Sequence, residues 1–120
     1  MERLNFEFYT RPNGHTEFQE YLSELNEKER AKLLARIYMI SLNGIKVGIE
    51  HDWGKPLEKN LYEIRSRVSN NQYRGIYFHV DGEHYVITHG FTKKTRKTPL
   101  REIEHGKTLR TEYFAHRKGE

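Results

Sequence analysis

The sequence predicts an α+β fold: an antiparallel sheet with two N-terminal helices and one C-terminal helix, in the order β-α-α-β-β-β-α. Three observations predict it. Leu4, Phe6 and Phe8 alternate with Arg3, Asn5, Glu7 and Tyr9, the period-two pattern of a half-buried strand. Apolar residues then recur at helical spacing from about residue 15 to residue 43. From Leu61 to Phe91 the pattern returns to period two, broken by turn residues. Helices gathered on one face of such a sheet would leave the opposite face free.

Each element has a local cause. Arg11-Pro12-Asn13-Gly14 stops the first strand with two strong turn formers. Phe18, Tyr21, Leu22 and Leu25 give an amphipathic helix over about 15–25. Asn26 followed by Glu29 reads as a capped second start, and Leu33, Leu34, Ile37, Met39 and Ile40 carry that helix to the stop at Asn43-Gly44. Residues 44–60, punctuated by Gly44, Gly48, Gly54 and Pro56, read as irregular. Leu61 to Val68 is a strand, Asn70-Asn71 a turn, and Tyr73–Val80 and His84–Phe91 a hairpin closed at Asp81-Gly82. Thr92 to Thr98 forms a basic loop. Thr98-Pro99 opens a last helix carrying Leu100, Ile103, Leu109 and Tyr113, with a frayed tail expected from Ala115 to Glu120.

Composition narrows the function. The chain has 120 residues, the size of a single domain, and its eight Tyr, six Phe and one Trp suit a folded core. With no cysteine there is no disulfide, thiolate nucleophile or Cys-zinc site. No apolar run reaches the length of a membrane span, and the N-terminus has no signal-peptide h-region, so a cytoplasmic protein is expected. Charge is uneven. Residues 1–60 hold nine Lys/Arg and ten Asp/Glu, net −1, whereas residues 61–120 hold twelve and seven, net +5. A basic half suggests a polyanionic partner, nucleic acid by default; a solvated basic face without a partner is the alternative.

The cations concentrate where strands would hold them. Arg65 and Arg67 lie two apart and share a strand face, Arg74 follows on the next strand, and Lys93, Lys94, Arg96 and Lys97 leave the last one. Such a cluster favours phosphate binding, with arginine suited to bidentate contacts. Tyr62, Tyr73, Tyr77, Tyr85 and Phe91 interleave with these positions and could stack unpaired bases. His79, His84 and His89 match no zinc spacing, and no metal or cofactor is expected. Among the histidines, His89 alone is placed for acid/base work, beside Gly90-Phe91 and the basic loop; a satisfied structural histidine is the other reading. Glu63 is either a base or an ion-pair partner that orients an arginine.

Leu61-Tyr62-Glu63-Ile64-Arg65, Tyr73-Arg74-Gly75-Ile76-Tyr77 and His89-Gly90-Phe91-Thr92-Lys93-Lys94-Thr95-Arg96-Lys97-Thr98-Pro99 together resemble the signature of the RelE/ParE toxin superfamily. Within it, the match is to the phage-derived, HigB-like branch. The resemblance implies a microbial-RNase-like (RelE-like) fold over the whole chain as one domain. It also implies a type II toxin that cleaves mRNA, on the translating ribosome, without a metal. A ribose 2′-hydroxyl would attack the adjacent phosphate while basic side chains stabilise the charge. The implied catalytic positions are Arg65, Arg74 and Lys93 or Lys94; His89, which stands where the family usually has an aliphatic residue, is the alternative base on the residue reading alone. The resemblance implies Phe91 as a base-contacting ring; Arg67 and Lys97 are further phosphate contacts that the family pattern does not fix, and Arg96, Tyr62 and Tyr73 join the expected RNA contacts from the residue reading alone. The expected partners are mRNA and an antitoxin, a small helix-turn-helix protein encoded next to it. Two alternatives stand: a ParE-like inhibitor of DNA gyrase, and a nucleic-acid-binding module without catalysis.

Overall fold

The computed structural model describes residues 3–118. Strand β1 (Asn5–Phe8) leads through the Arg11–Gly14 turn, where Gly14 takes φ +90°, into helices α1 (Glu17–Glu24) and α2 (Glu27–Asn43). The expected cap of α2 is a full capping box. The Asn26 side chain accepts the Glu29 N–H at 2.8 Å, and the Glu29 carboxylate accepts the Asn26 N–H at 2.9 Å. Arg30 donates to the Leu22 and Leu25 carbonyls at 3.0 and 2.7 Å and so ties the two helices at their joint. Gly44, at φ +95°, ends α2.

Residues 44–60 are regular, which corrects the sequence reading: they form helix α3 (Ile45–Glu50) and strand β2 (Gly54–Glu58). Both are too short to show a period, and tertiary pairing makes them. Gly54 sits so close to the Glu63 carbonyl that a Cβ there would collide with it. Strand β3 (Leu61–Val68) follows as predicted; β4 (Asn71–Asp81) and β5 (His84–Lys93) are longer than expected, because pairing through Gln72 and Lys93 takes Asn71 from the turn and Thr92 and Lys93 from the loop, and helix α4 (Leu100–Lys118) closes the chain. The frayed tail expected from Ala115 is helical through Lys118, where Phe114 packs on Phe78 and Arg117 donates to Asp81 at 2.9 Å. Positions 119 and 120 of that expectation lie outside the described residues.

The sheet order is β1-β5-β4-β3-β2, antiparallel except that β1 runs parallel to β5, so the sheet is mixed rather than purely antiparallel. Both faces are covered, a further correction. Ile64, Tyr73, Tyr77 and Ile87 pack with Phe18, Leu22, Leu33 and Ile40 of α1 and α2. Their strand neighbours Ile76, Phe78 and Val86 point the other way, as alternation requires, toward Ile103 and Leu109 of α4. A sheet apolar on both faces cannot leave one to solvent. Gly106 lets α4 approach: a Cβ there would stand 2.8 Å from Ile76. Helix α4 runs from the middle of β4 toward the β4–β5 hairpin. The other end of this face is left to the loop after β5, and there the polar groups gather.

A β-bulge sets which side chains of β5 face α4. Ile76 pairs with His89 but Tyr77 pairs with Ile87, so Thr88 is the extra residue and its Oγ1 donates to the Ile76 carbonyl at 3.1 Å. The extra residue switches the alternation and places His89 and Phe91 on the α4 side together with Val86.

Candidate functional site

Two charged assemblies lie side by side at the end of the sheet. The first is sealed. Arg74 and Glu63, on adjacent strands, are both 0% exposed. Glu63 accepts from Arg65 Nε at 2.8 Å, Thr98 Oγ1 at 2.5 Å and Arg74 at 3.4 Å. Arg74 also donates to Thr98 Oγ1 at 3.1 Å, Gln72 Oε1 at 2.6 Å, and the Thr95 and Arg96 carbonyls at 3.1 and 2.5 Å. Burial pulls this guanidinium below its ordinary pKa, Glu63 opposing. Arg74 therefore does not present itself to solvent. Its planar fork fastens the basic loop to the sheet, which a point charge could not do at several acceptors together.

The second assembly is open. The pairing of β2 with β3 begins at Gly54 and Ile64, so β3 beyond Arg65 has a free edge there. A cleft of about 220 Å³ straddles that edge. Arg36 of α2 lies on one side, Arg65, Arg67 and Arg96 on the other, and His51 and Asp52 at the turn before β2. Arg65 lies on the boundary between the two assemblies: its Nε is on buried Glu63 and its Nη1 reaches Asp52 at 3.1 Å. Asp52 also accepts from Arg96 at 3.3 Å, which leaves the cleft with four arginines and one carboxylate. Ser66 Oγ, buried in the cleft wall, has no hydrogen-bond partner among the described residues. An anion in the cleft would be lined by four guanidinium groups, each with more donors than the contacts above use.

Lys55 belongs to this neighbourhood, and nothing in its sequence context but its charge points to it. It stands on β2 opposite Glu63. Desolvation, followed by repulsion from Arg65, lowers its pKa from the ordinary lysine value.

The other sequence candidates fall in three places. Lys93 pairs across the sheet with Gln72, next to the cleft, while Lys94 and Lys97 stand exposed on the loop that Arg74 holds. Phe91, Tyr62 and Tyr73 are not at the cleft. Phe91 packs with Leu61, Ile76 and Ile103. Tyr62 stacks on Tyr77 at 5.2 Å on the α1/α2 side, where Tyr73 donates to Glu29 at 2.5 Å. His89 is also elsewhere, on a separate cavity of about 460 Å³ shared with His105, Glu17 and Tyr21. Its Nδ1 meets Thr88 Oγ1 at 2.8 Å and its Nε2 meets Glu102 at 3.1 Å. The hydrogen bond from His89 leads the causes that hold Glu102 below the usual carboxylate range. Among the described residues, no group of His, Asp or Glu has the arrangement to hold a metal ion and no helix is long and apolar enough to cross a membrane.

Comparison with known proteins agrees with the motifs. Residues 20–111 match the family profile of phage-derived Gp49-like proteins. Over 92 residues the chain is 27% identical to the "Probable endoribonuclease HigB1" of Mycobacterium tuberculosis, in strains CDC 1551 / Oshkosh and ATCC 25618 / H37Rv. The aligned region covers 77% of this chain and 70% of that relative. The profile match spans both assemblies, from α1 through most of α4, and the chain belongs to the phage-derived Gp49-like family, the HigB-like branch that its YEIR, YR and GFxKK blocks resemble.

Proposed function

We propose that the chain is the toxin of a type II toxin–antitoxin pair and that the open cleft is the active site of a metal-independent endoribonuclease acting on mRNA. The observation that carries this reading is the convergence of Arg36, Arg65, Arg67 and Arg96 on one cleft, with a lysine of lowered pKa on the next strand. The name of the mycobacterial relative supports it.

In this mechanism the 2′-oxygen forms a bond to the adjacent phosphorus and the bond from phosphorus to the 5′-oxygen breaks. The products are a 2′,3′-cyclic phosphate and a 5′-hydroxyl. Lys55, whose pKa desolvation and Arg65 lower, takes the 2′-hydroxyl proton when its amine is deprotonated, and a protonated group at the cleft gives one to the departing 5′-oxygen. Arg65, Arg67 and Arg96 hold the phosphorane oxygens, where fixed donors contribute more than they would in water. Arg74 is a positioning residue: through Glu63, Thr98 and the loop carbonyls it fixes Arg65 and Arg96. Lys93, Lys94 and Lys97 extend the positive rim along an RNA backbone. The antitoxin neutralises or covers this basic end, and the ribosome presents the mRNA.

The test is a primer-extension map of mRNA after brief induction in cells, comparing wild type with an Arg67→Ala/Arg96→Ala double variant. Both side chains are exposed, so the variant keeps the fold. New RNA ends with wild type alone support the reading. Growth arrest without new ends overturns it in favour of gyrase, which a supercoiling assay then reads.

A further inference from the structure

Of the rings offered for base stacking, Tyr73, Tyr77 and Phe91 are buried and Tyr62 and Tyr85 half-buried, all away from the cleft, which has an aromatic surface of its own. His51 stacks on Trp53 with ring centroids 4.8 Å apart and planes 17° from parallel. Arg36 lies over the Trp53 ring at 6.0 Å. Trp53 is half-buried against the α1/α2 core, whereas His51 is exposed and lines the cleft. Neither nitrogen of His51 has a hydrogen-bond partner among the described residues, so neither its packing nor its polar atoms account for its outer face.

The backbone that carries the pair is fixed at several points. His51 N–H donates to the Val47 carbonyl at 3.0 Å and Trp53 N–H to the Gly48 carbonyl at 2.8 Å. The Trp53 carbonyl in turn accepts the N–H of Arg65 at 2.7 Å. That last bond makes the ring pair and the central cleft arginine neighbours through one peptide contact. Between the two rings, Asp52 takes φ +60°, which turns the chain so that residues 51 and 53 stack rather than project apart.

We infer that the His51–Trp53 stack is a nucleobase platform. The unpaired base of a nucleotide whose phosphate lies on Arg65, Arg67 and Arg96 stacks on the outer face of His51, which Trp53 backs. This rests on the reading of the cleft as an RNA site and adds the part that reads a base. A base has two π-faces and needs no fixed hydrogen-bond pattern to stack, so the platform accepts any base and favours purines by area. Tyr62, stacked on Tyr77, is half-buried on the α1/α2 side and does not line the cleft.

The experiment uses the full chain and two fluorescein-labelled pentanucleotides with 2′-O-methyl sugars, which cannot be cleaved. One carries adenine throughout, the other has the same phosphates and no bases. Anisotropy at low salt reads affinity, and the emission of Trp53, the one tryptophan in the chain, reads the platform. The expected result is binding of the adenine probe about tenfold tighter than the abasic probe, a Trp53 emission change with the adenine probe alone, and a preference that falls to about one in His51→Ala. Equal binding of the two probes by wild type, or a preference that survives in His51→Ala, would overturn the platform while leaving the phosphate cleft standing. Binding of neither probe would overturn the RNA reading and the platform with it.

Discussion

Arg74 and Arg67 are both strand arginines within seven positions of each other, and they live in opposite surroundings. Arg74 is fully buried among Glu63, Gln72, Thr98 and two loop carbonyls; Arg67 is exposed, and its Nε donates only to the Ser69 carbonyl at 3.0 Å. The same side chain serves as an internal clamp in one case and as a surface donor in the other. Arg65 links the two, one nitrogen on buried Glu63 and another toward the cleft. The comparison teaches that charge density along a strand does not identify a binding residue. What separates the two roles is whether neighbouring groups already occupy the guanidinium.

The largest effect expected from this difference is on folding. Arg74→Ala leaves the Glu63 carboxylate buried with one fewer cation, and breaking a buried pair from one side costs about 3–5 kcal/mol. Urea unfolding should show a loss of that size, with the loop after β5 opened to proteolysis. An Arg74→Ala protein of wild-type stability would break the comparison.

Next comes Lys55. Its folded pKa lies below the unfolded value, so it does not stabilise the fold at neutral pH; stability gains as pH rises through the folded value, because the unfolded chain then holds more protons. Lys55→Met should therefore unfold no more easily than wild type, yet cleave RNA about 100-fold more slowly. The wild-type rate should climb with pH toward the lowered lysine value and the variant rate should not.

A smaller effect sharpens the role of the open arginines. Arg67→Ala should weaken RNA binding about tenfold, reduce the slope of log affinity against log salt by about one, and change stability by no more than about 0.5 kcal/mol. The smallest concerns α4, away from both assemblies. Glu112 accepts from Arg11 at 3.1 Å twice and from Tyr9 at 2.9 Å, and the bond from Arg11 leads the causes that hold its pKa below the usual carboxylate range. A carboxylate with a lowered folded pKa stabilises above its unfolded value, about 4.3, and loses this as pH falls through the folded value. Glu112→Gln should cost about 1 kcal/mol at pH 7. In melts taken as a function of pH, the gap from wild type should close in acid.

Much of the fold was legible because its signals are local. The Asn26–Glu29 capping box, the Asn43-Gly44 stop and the Thr98-Pro99 start each act through neighbouring backbone. What was not legible depends on contacts distant in sequence. Strand β2 exists because Gly54 can approach Glu63, and α4 covers the second face because Gly106 fits against Ile76. The direction of His89 depends on a one-residue bulge at Thr88, which period-two counting cannot see. The site followed the same rule. Arg65, Arg67 and Arg96 were found from their spacing and do converge; Lys55, His51 and Ser66 join them only through the fold. Glu63 was left open between a base and an arginine's partner, and its three donors are those of a partner.

The most direct test of the two-arginine account is a two-dimensional NMR spectrum of arginine Nε–Hε groups, recorded while uncleavable single-stranded RNA is added. The account predicts that the signals of Arg65, Arg67 and Arg96 move with RNA, while Arg74 Nε–Hε stays in place and exchanges slowly with solvent throughout. A fast-exchanging Arg74 signal that shifts as much as the others would mean that the loop opens and that Arg74 meets the phosphate itself, contradicting its role as a clamp.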